Sequence, residues 1–154
     1  MATKMAYNIA HYIATDGVGG TALELLNTFT SINESPNAQT EETQYTVMKS
    51  KSTETVGYQG VWAVEGDLNG SENAVTYLEE IGKEQKLGAD ATTELYIVEL
   101  DAPTGSNVFY ARKVKVGVEI TDLPAEGGAK RSLRGNLNQL ADIEVVTFDT
   151  TTIS

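Results

Sequence analysis

From Val108 to Ile120 the even-numbered positions read Val108, Tyr110, Arg112, Val114, Val116, Val118 and Ile120. The other face of the second half carries Lys113, Lys115 and Glu119. Successive side chains of a strand point to opposite faces. The stretch therefore predicts a long strand with one buried face and one wet face, the habit of an antiparallel sheet.

The same alternation recurs elsewhere. Val56, Tyr58, Gly60, Trp62 and Val64 predict one strand with a glycine in its middle. Residues 94–100 (ELYIVEL) predict another, and the turn-rich stretch 101–107 joins it to the long strand as an antiparallel hairpin. Arg131–Gln139 alternates Leu133, Gly135 and Leu137 against Arg134, Asn136 and Asn138, and Ile143–Asp149 closes the series. Near the start, residues 6–14 predict a first strand, ended by Asp16-Gly17 and the turn glycines Gly19 and Gly20. Residues 21–29, with Leu23, Leu25 and Leu26, read as a strand or a short helical turn.

One helix is predicted, over about 72–87. Asn69 and Glu72 have the spacing of a capping box. Ala74, Val75, Leu78, Ile81 and Gln85 then share a face. Lys83 and Lys86 suit the negative end of the helix dipole, and Gly88 offers a stop. Strands, one helix, then strands, with no alternating βα units, define the fold class: mainly β, two packed antiparallel sheets in a sandwich or barrel-like arrangement, with one flanking α-helix. The whole of 1–154 reads as one domain.

Residues 30–44 (TSINESPNAQTEETQ) have almost no large apolar side chain and contain Pro36. Such a stretch cannot bury itself. Roughly 15 residues without structure are uncommon inside a compact domain. It reads either as a loose loop or as a loop that orders against another subunit.

Chemistry is hard to find. There is no cysteine, so disulfides and thiolate metal sites are excluded. His11 is the one histidine, which argues against a His-based triad; in an apolar strand it reads as a packing residue. Asp16-Gly-Val-Gly-Gly20 lacks the Lys-Ser/Thr of a phosphate loop. The carboxylate pairs Glu41-Glu42, Glu79-Glu80 and Asp122 with Glu126 are expected by chance in so acidic a chain, and no calcium loop is present. No catalytic, cofactor-binding or metal residue is nominated, and the chain reads as non-enzymatic.

Twenty-two acidic residues against 11 basic give a net charge of −11, which argues against binding DNA through its phosphates. The basic cluster Lys130, Arg131 and Arg134, extended by Arg112, Lys113 and Lys115, is either a solvated face or an interface meeting Glu41-Glu42 or Glu79-Glu80 of a neighbour. No apolar run is long enough for a membrane helix. The N-terminus lacks the pattern of a secretory signal, so the protein is expected to be made, and used or assembled, in the cytoplasm.

Two stretches, Ser31-Ile-Asn-Glu-Ser-Pro-Asn-Ala-Gln-Thr-Glu-Glu-Thr-Gln-Tyr45 and Ser52-Thr-Glu-Thr-Val-Gly-Tyr58, resemble the early segments of phage and prophage major tail (tail tube) proteins. The long strand at 108–120, the turn Asp122-Leu-Pro-Ala-Glu-Gly-Gly128, the strand Ser-Leu-Arg-Gly-Asn-Leu-Asn138 and the final Val-Thr-Phe-Asp149 are similar too. Asn138-Gln-Leu-Ala-Asp142 departs from the family's Asn-Gly-Asp strand end. The resemblance implies a structural subunit of hexameric rings stacked head-to-tail into a hollow tube. DNA or a tape-measure protein would pass through without tight binding. It further implies an N-terminal arm at about 1–5, an inter-subunit loop region at about 30–55, other tail proteins such as a sheath as partners, and location in a virion tail assembled in the bacterial host cytoplasm. Alternatives are the inner tube of a contractile tail or injection machine, a capsid decoration protein, and a small carbohydrate-binding module using Trp62 and the tyrosines. Trp62 shares a face with Val56 and Val64, which favours a core role.

Overall fold

A computed structural model describes residues 9–18, 23–26, 29–44, 46–47, 50, 52–67, 73–124 and 131–149. Within them lie ten strands and one α-helix: β1 (Ile9–Ala14), β2 (Leu23–Leu25), β3 (Phe29–Ser35), β4 (Ala38–Thr43), β5 (Ser52–Tyr58), β6 (Val61–Asp67), α1 (Asn73–Lys83), β7 (Thr92–Gly105), β8 (Val108–Asp122), β9 (Ser132–Gln139) and β10 (Glu144–Asp149). A short 3-10 turn, Gly88–Ala91, precedes β7. The strands form two antiparallel sheets, and neither closes into a barrel.

The main sheet runs β2-β1-β7-β8-β9-β6-β3, with β10 also on β8. One edge of β8 pairs with β7. The other edge is shared end to end: β9 takes Val116–Asp122 and β10 takes Val108–Lys113. β7 and β8 make the expected antiparallel hairpin, but β7 runs on through most of the predicted turn, which tightens to Ser106-Asn107 with Asn107 at φ 61°, while β8 starts at Val108 as expected.

The even positions of β8 behave as the sequence predicts. Val114, Val116 and Val118 are buried with Leu95, Ile97, Trp62 and Leu137 under α1. Each such large side chain contributes about 1.5–3 kcal/mol by leaving water. The opposite face is not wholly wet. Val98, Ala111 and Phe148 form a second small core there, with the Phe148 ring 4.8 Å from Tyr12 and 5.6 Å from Tyr96.

The helix buries Ala74, Val75, Leu78 and Ile81, the face read from their spacing. The predicted cap at 69–72 lies outside the described residues. The helix stops four residues before the predicted limit of 87. Gln85 adopts the left-handed conformation at φ 51°, its N–H donates to the Gly82 carbonyl, and the Lys86 N–H donates to the Ile81 carbonyl. This is a Schellman ending built without glycine. Gln85 is consequently exposed rather than on the buried face.

Two further expectations are corrected. The polar segment 30–44 is not a loop: its first part is β3, paired with β6, and its second part is β4, paired with β5. Threonine-rich polar residues need only backbone pairing, not burial, to hold a strand. And Val56–Val64 is not one strand. It breaks at Gln59-Gly60 into β5, in the second sheet, and β6, in the main sheet. Val56 (57 % exposed) and Tyr58 (59 %) lie outside the core, whereas Trp62 is fully buried within it. Gly60 sets the break. Its N–H donates to the Gln139 side chain at 3.0 Å, its carbonyl accepts the Gln139 N–H at 2.9 Å, and a Cβ would meet Gln139 Oε1 at 2.6 Å.

β9 crosses β8 at Gly135, where a Cβ would lie 2.4 Å from the Glu119 carbonyl oxygen and 3.1 Å from the Ile120 Cα. Both obstacles are backbone, so the strands would have to part. Gly135→Ala is expected to destabilise by about 3 kcal/mol, whereas Gly57→Ala, with nothing within 4 Å, should change stability by less than about 0.5 kcal/mol. Urea unfolding of the two variants checks this.

Candidate assembly surface

The β4–β5 hairpin is the largest feature outside the core. Nearly all its described side chains are exposed. Its root is held by the Gly60–Gln139 pair, by Gln59 N–H to the Asn37 carbonyl (3.1 Å), and by the Asn37 side-chain amide to the Gln59 carbonyl (3.1 Å). Asn37 reaches this position through a left-handed conformation, φ 50°, which asparagine tolerates. An isolated two-stranded hairpin is at best marginally stable in water.

Beneath the hairpin, β3 and β8 are tied by a two-pronged ion pair. Arg112 donates from Nη1 to Glu34 Oε2 at 2.9 Å and from Nη2 to Glu34 Oε1 at 2.8 Å. Both side chains are about a quarter exposed. Their planar match is the strong form of carboxylate recognition. The bond to Glu34 raises the Arg112 pKa above its ordinary value, against the opposing effect of burial. With Pro36, Tyr58, Trp62 and Ile143 the pair lines a cleft of about 440 Å³ at the hairpin root. Arg112 was legible as an oddity, a charge in the buried register of its strand. Its partner Glu34, in the polar segment, was not.

His11 lies within electrostatic range of this pair. Burial pushes its pKa from 6.5 to about 4; Glu34 raises it and Arg112 lowers it. The imidazole is therefore neutral at neutral pH.

The remaining charges singled out in the sequence are mostly used inside the chain. Arg131 reaches Glu79 at 3.4 Å, Arg134 reaches Glu65 at 3.4 Å, and Lys113 reaches Glu94 at 3.2 Å. Glu79 and Glu80 also meet Lys83 (3.9 Å) and Lys86 (3.8 Å). The basic cluster is thus dispersed over several carboxylates and is not one free patch. Exposed pairs such as Arg134–Glu65 contribute little, about 0–1 kcal/mol each, whereas Glu94 is a buried carboxylate. Glu41 and Glu42 stand on the hairpin; Lys130 and Glu126 lie outside the described residues, as do residues 19–22 of the glycine turn. Among the described residues no group of three or more His, Asp or Glu could hold a metal ion, and no helix is long and apolar enough to cross a membrane.

No family model matches the sequence, and no curated protein matches it. Solved structures do. A chain from the tail of an empty gene transfer agent particle, of C6 symmetry, superposes with a TM-score of 0.69 at 10 % identity, covering 94 % of this chain and 99 % of that one. A chain from the anti-feeding prophage cap, which terminates the tube, gives 0.60 at 13 % identity over 96 % and 93 %. One from the sheath–tube complex of the extracellular contractile injection system PVC, in the extended state, gives 0.54 at 11 % identity over 96 % and 93 %. The chain has the phage-type tail tube fold.

Two outcomes follow for the buried pair and its neighbour. Arg112→Lys keeps the charge but loses the fork, and is expected to destabilise by about 1–2 kcal/mol in urea unfolding at pH 7.5. For His11, the unfolded chain titrates near 6.5 and the folded chain near 4, so between these values the unfolded state binds the extra proton. Stability falls as pH drops from about 6.5 towards 4 and is unaffected by His11 above that window. At about 1.4 kcal/mol per pKa unit the loss approaches roughly 3 kcal/mol. Comparing urea midpoints at pH 7.5 and 4.5, the His11→Gln variant should lose less stability in acid than the parent; equal losses would assign the acid limb to carboxylates instead.

Proposed function

We propose that this chain is a structural, non-enzymatic subunit that assembles with copies of itself into stacked hexameric rings, forming the hollow tube of a phage-type tail. The observation carrying this reading is the fold likeness over nearly the full length of both chains to a component of a C6-symmetric particle tail. The exposed hairpin and the absence of a convergent chemical site among the described residues accord with it.

In this reading the tube belongs to a virion tail assembled in the host cytoplasm. Residues 1–154 act as one domain, with about 1–5 as an arm and about 30–55, which holds most of β3 and of the β4–β5 hairpin, as the inter-subunit loop region. A charge of −11 per subunit repels nucleic acid phosphates and lets DNA, or a tape-measure protein, pass without sticking. The likeness to a chain of a sheath–tube complex supports a second form of the same reading, an inner tube with a sheath as partner.

Negative-stain microscopy of the concentrated, purified protein is the test. Hollow tubes or rings with six-fold class averages are expected. A strictly monomeric protein at high concentration, measured by sedimentation, would overturn the proposal.

A further inference from the structure

Glu41 and Glu54 face each other directly across the β4–β5 ladder. Like charges placed opposite one another destabilise a strand pair, and this pair already lacks a third strand or a covering helix. Among the described residues neither carboxylate has a hydrogen bond or cation partner. Among the described side chains the arrangement is a liability with no compensating cation.

The opposite charge is available elsewhere. Every described lysine and arginine except Lys115 is in an ion pair. Lys115 is exposed, and its cross-strand neighbour Glu94 is engaged by Lys113. Lys115 lines an open depression of about 580 Å³ with the apolar Val18 (51 % exposed) and Leu140 (55 %). Asp16, also on its lining, has a partner of its own. The hairpin carries a matching apolar group, Val47, 91 % exposed at its turn.

Hairpin and depression belong to different flanks of the molecule. The hairpin continues from β3 and β6 at one edge of the main sheet, while the depression is formed by the turn after β1, the start of β7 and the middle of β8. A contact between two different surfaces of identical chains is heterologous, and it propagates into a ring or a stack.

We propose that the Glu41/Glu54 face of the hairpin docks on the Lys115 depression of a second copy of this chain. The bound lysine relieves the carboxylate repulsion, and Val18 and Leu140 receive Val47. The inference rests on the tube reading above and names the two surfaces that would meet.

Charge exchange tests it. Lys115→Glu alone, and Glu41→Lys with Glu54→Lys, are each expected to lower the pelleted, tube-forming fraction at least several-fold, and the combined variant to restore it. All three positions are exposed, so circular dichroism should stay at the parent value; because Lys115→Glu sets a carboxylate opposite Glu94, its assembly is compared with that of Lys115→Gln, which adds no like charge and is expected to keep the parent thermal midpoint while still lowering the pelleted fraction. Independently, zero-length carbodiimide coupling in a mixture of isotopically light and heavy protein should yield light–heavy cross-links between Lys115 and Glu41 or Glu54. Normal assembly of Lys115→Glu, failure of the combined variant to recover, or absence of these cross-links would overturn the docking while leaving tubes of the parent protein, and thus the functional reading, intact. Cross-links without any tubes would do the reverse.

Discussion

Strand β8 has two edges, and three strands use them. β7 fills one, while β9 and β10 follow one another along the other. This sharing organises the molecule. Where β9 ends, Gln139 bonds Gly60 in both directions. The same point starts β6, and the chain before Gly60 lies outside the main sheet and pairs with β4 instead. The staggered edge opens the cleft that Arg112 and Glu34 bridge. One long strand with a divided edge thus produces a core, a seam and a projecting hairpin.

The parts built on burial were readable from the sequence. β8, β9 and α1 each carry a period that only one secondary structure satisfies, and Trp62 announced the core through its register. The parts built on pairing alone were not. β4 is rich in threonine, glutamate and glutamine and has no large apolar side chain, so nothing in its composition separates a strand from a loop, and of β5 only the end, Val56 and Tyr58, carries an alternation; each is a strand because the other lies beside it. The alternation from Val56 to Val64 was real but crossed from one sheet to another, and a period of two says nothing about which sheet a residue joins. The helix ending was hidden for a different reason: Gln85 carries no side-chain signal for a left-handed stop. The pairing of Arg112 with Glu34 spans 78 positions, a distance over which local pattern is silent.

The candidate surface follows the same division. The acidic hairpin could be seen as charge, but not as a hairpin, and the basic cluster could be seen as a patch only until Arg112, Lys113, Arg131 and Arg134 were matched to their own carboxylates. Once those pairs are formed, the net charge of −11 is no longer a diffuse property. Among the described residues the basic side chains other than Lys115 are held in ion pairs on the body, while Glu41 and Glu54 face each other on the hairpin. That distribution accords with a protein whose role is to fit copies of itself rather than to transform a ligand.

The reciprocal bond between Gly60 and Gln139 has a mechanical consequence. It joins a core with buried side chains on both faces of the sheet to an appendage with almost none, through a narrow root of a few hydrogen bonds. Regions with few buried contacts open at far lower free energy than the core beside them. The molecule therefore has two melting units of unequal strength in one chain. The weaker can loosen and re-form while the stronger stays intact, so the chain can be fully folded and still adjustable at the hairpin proposed to meet a second copy.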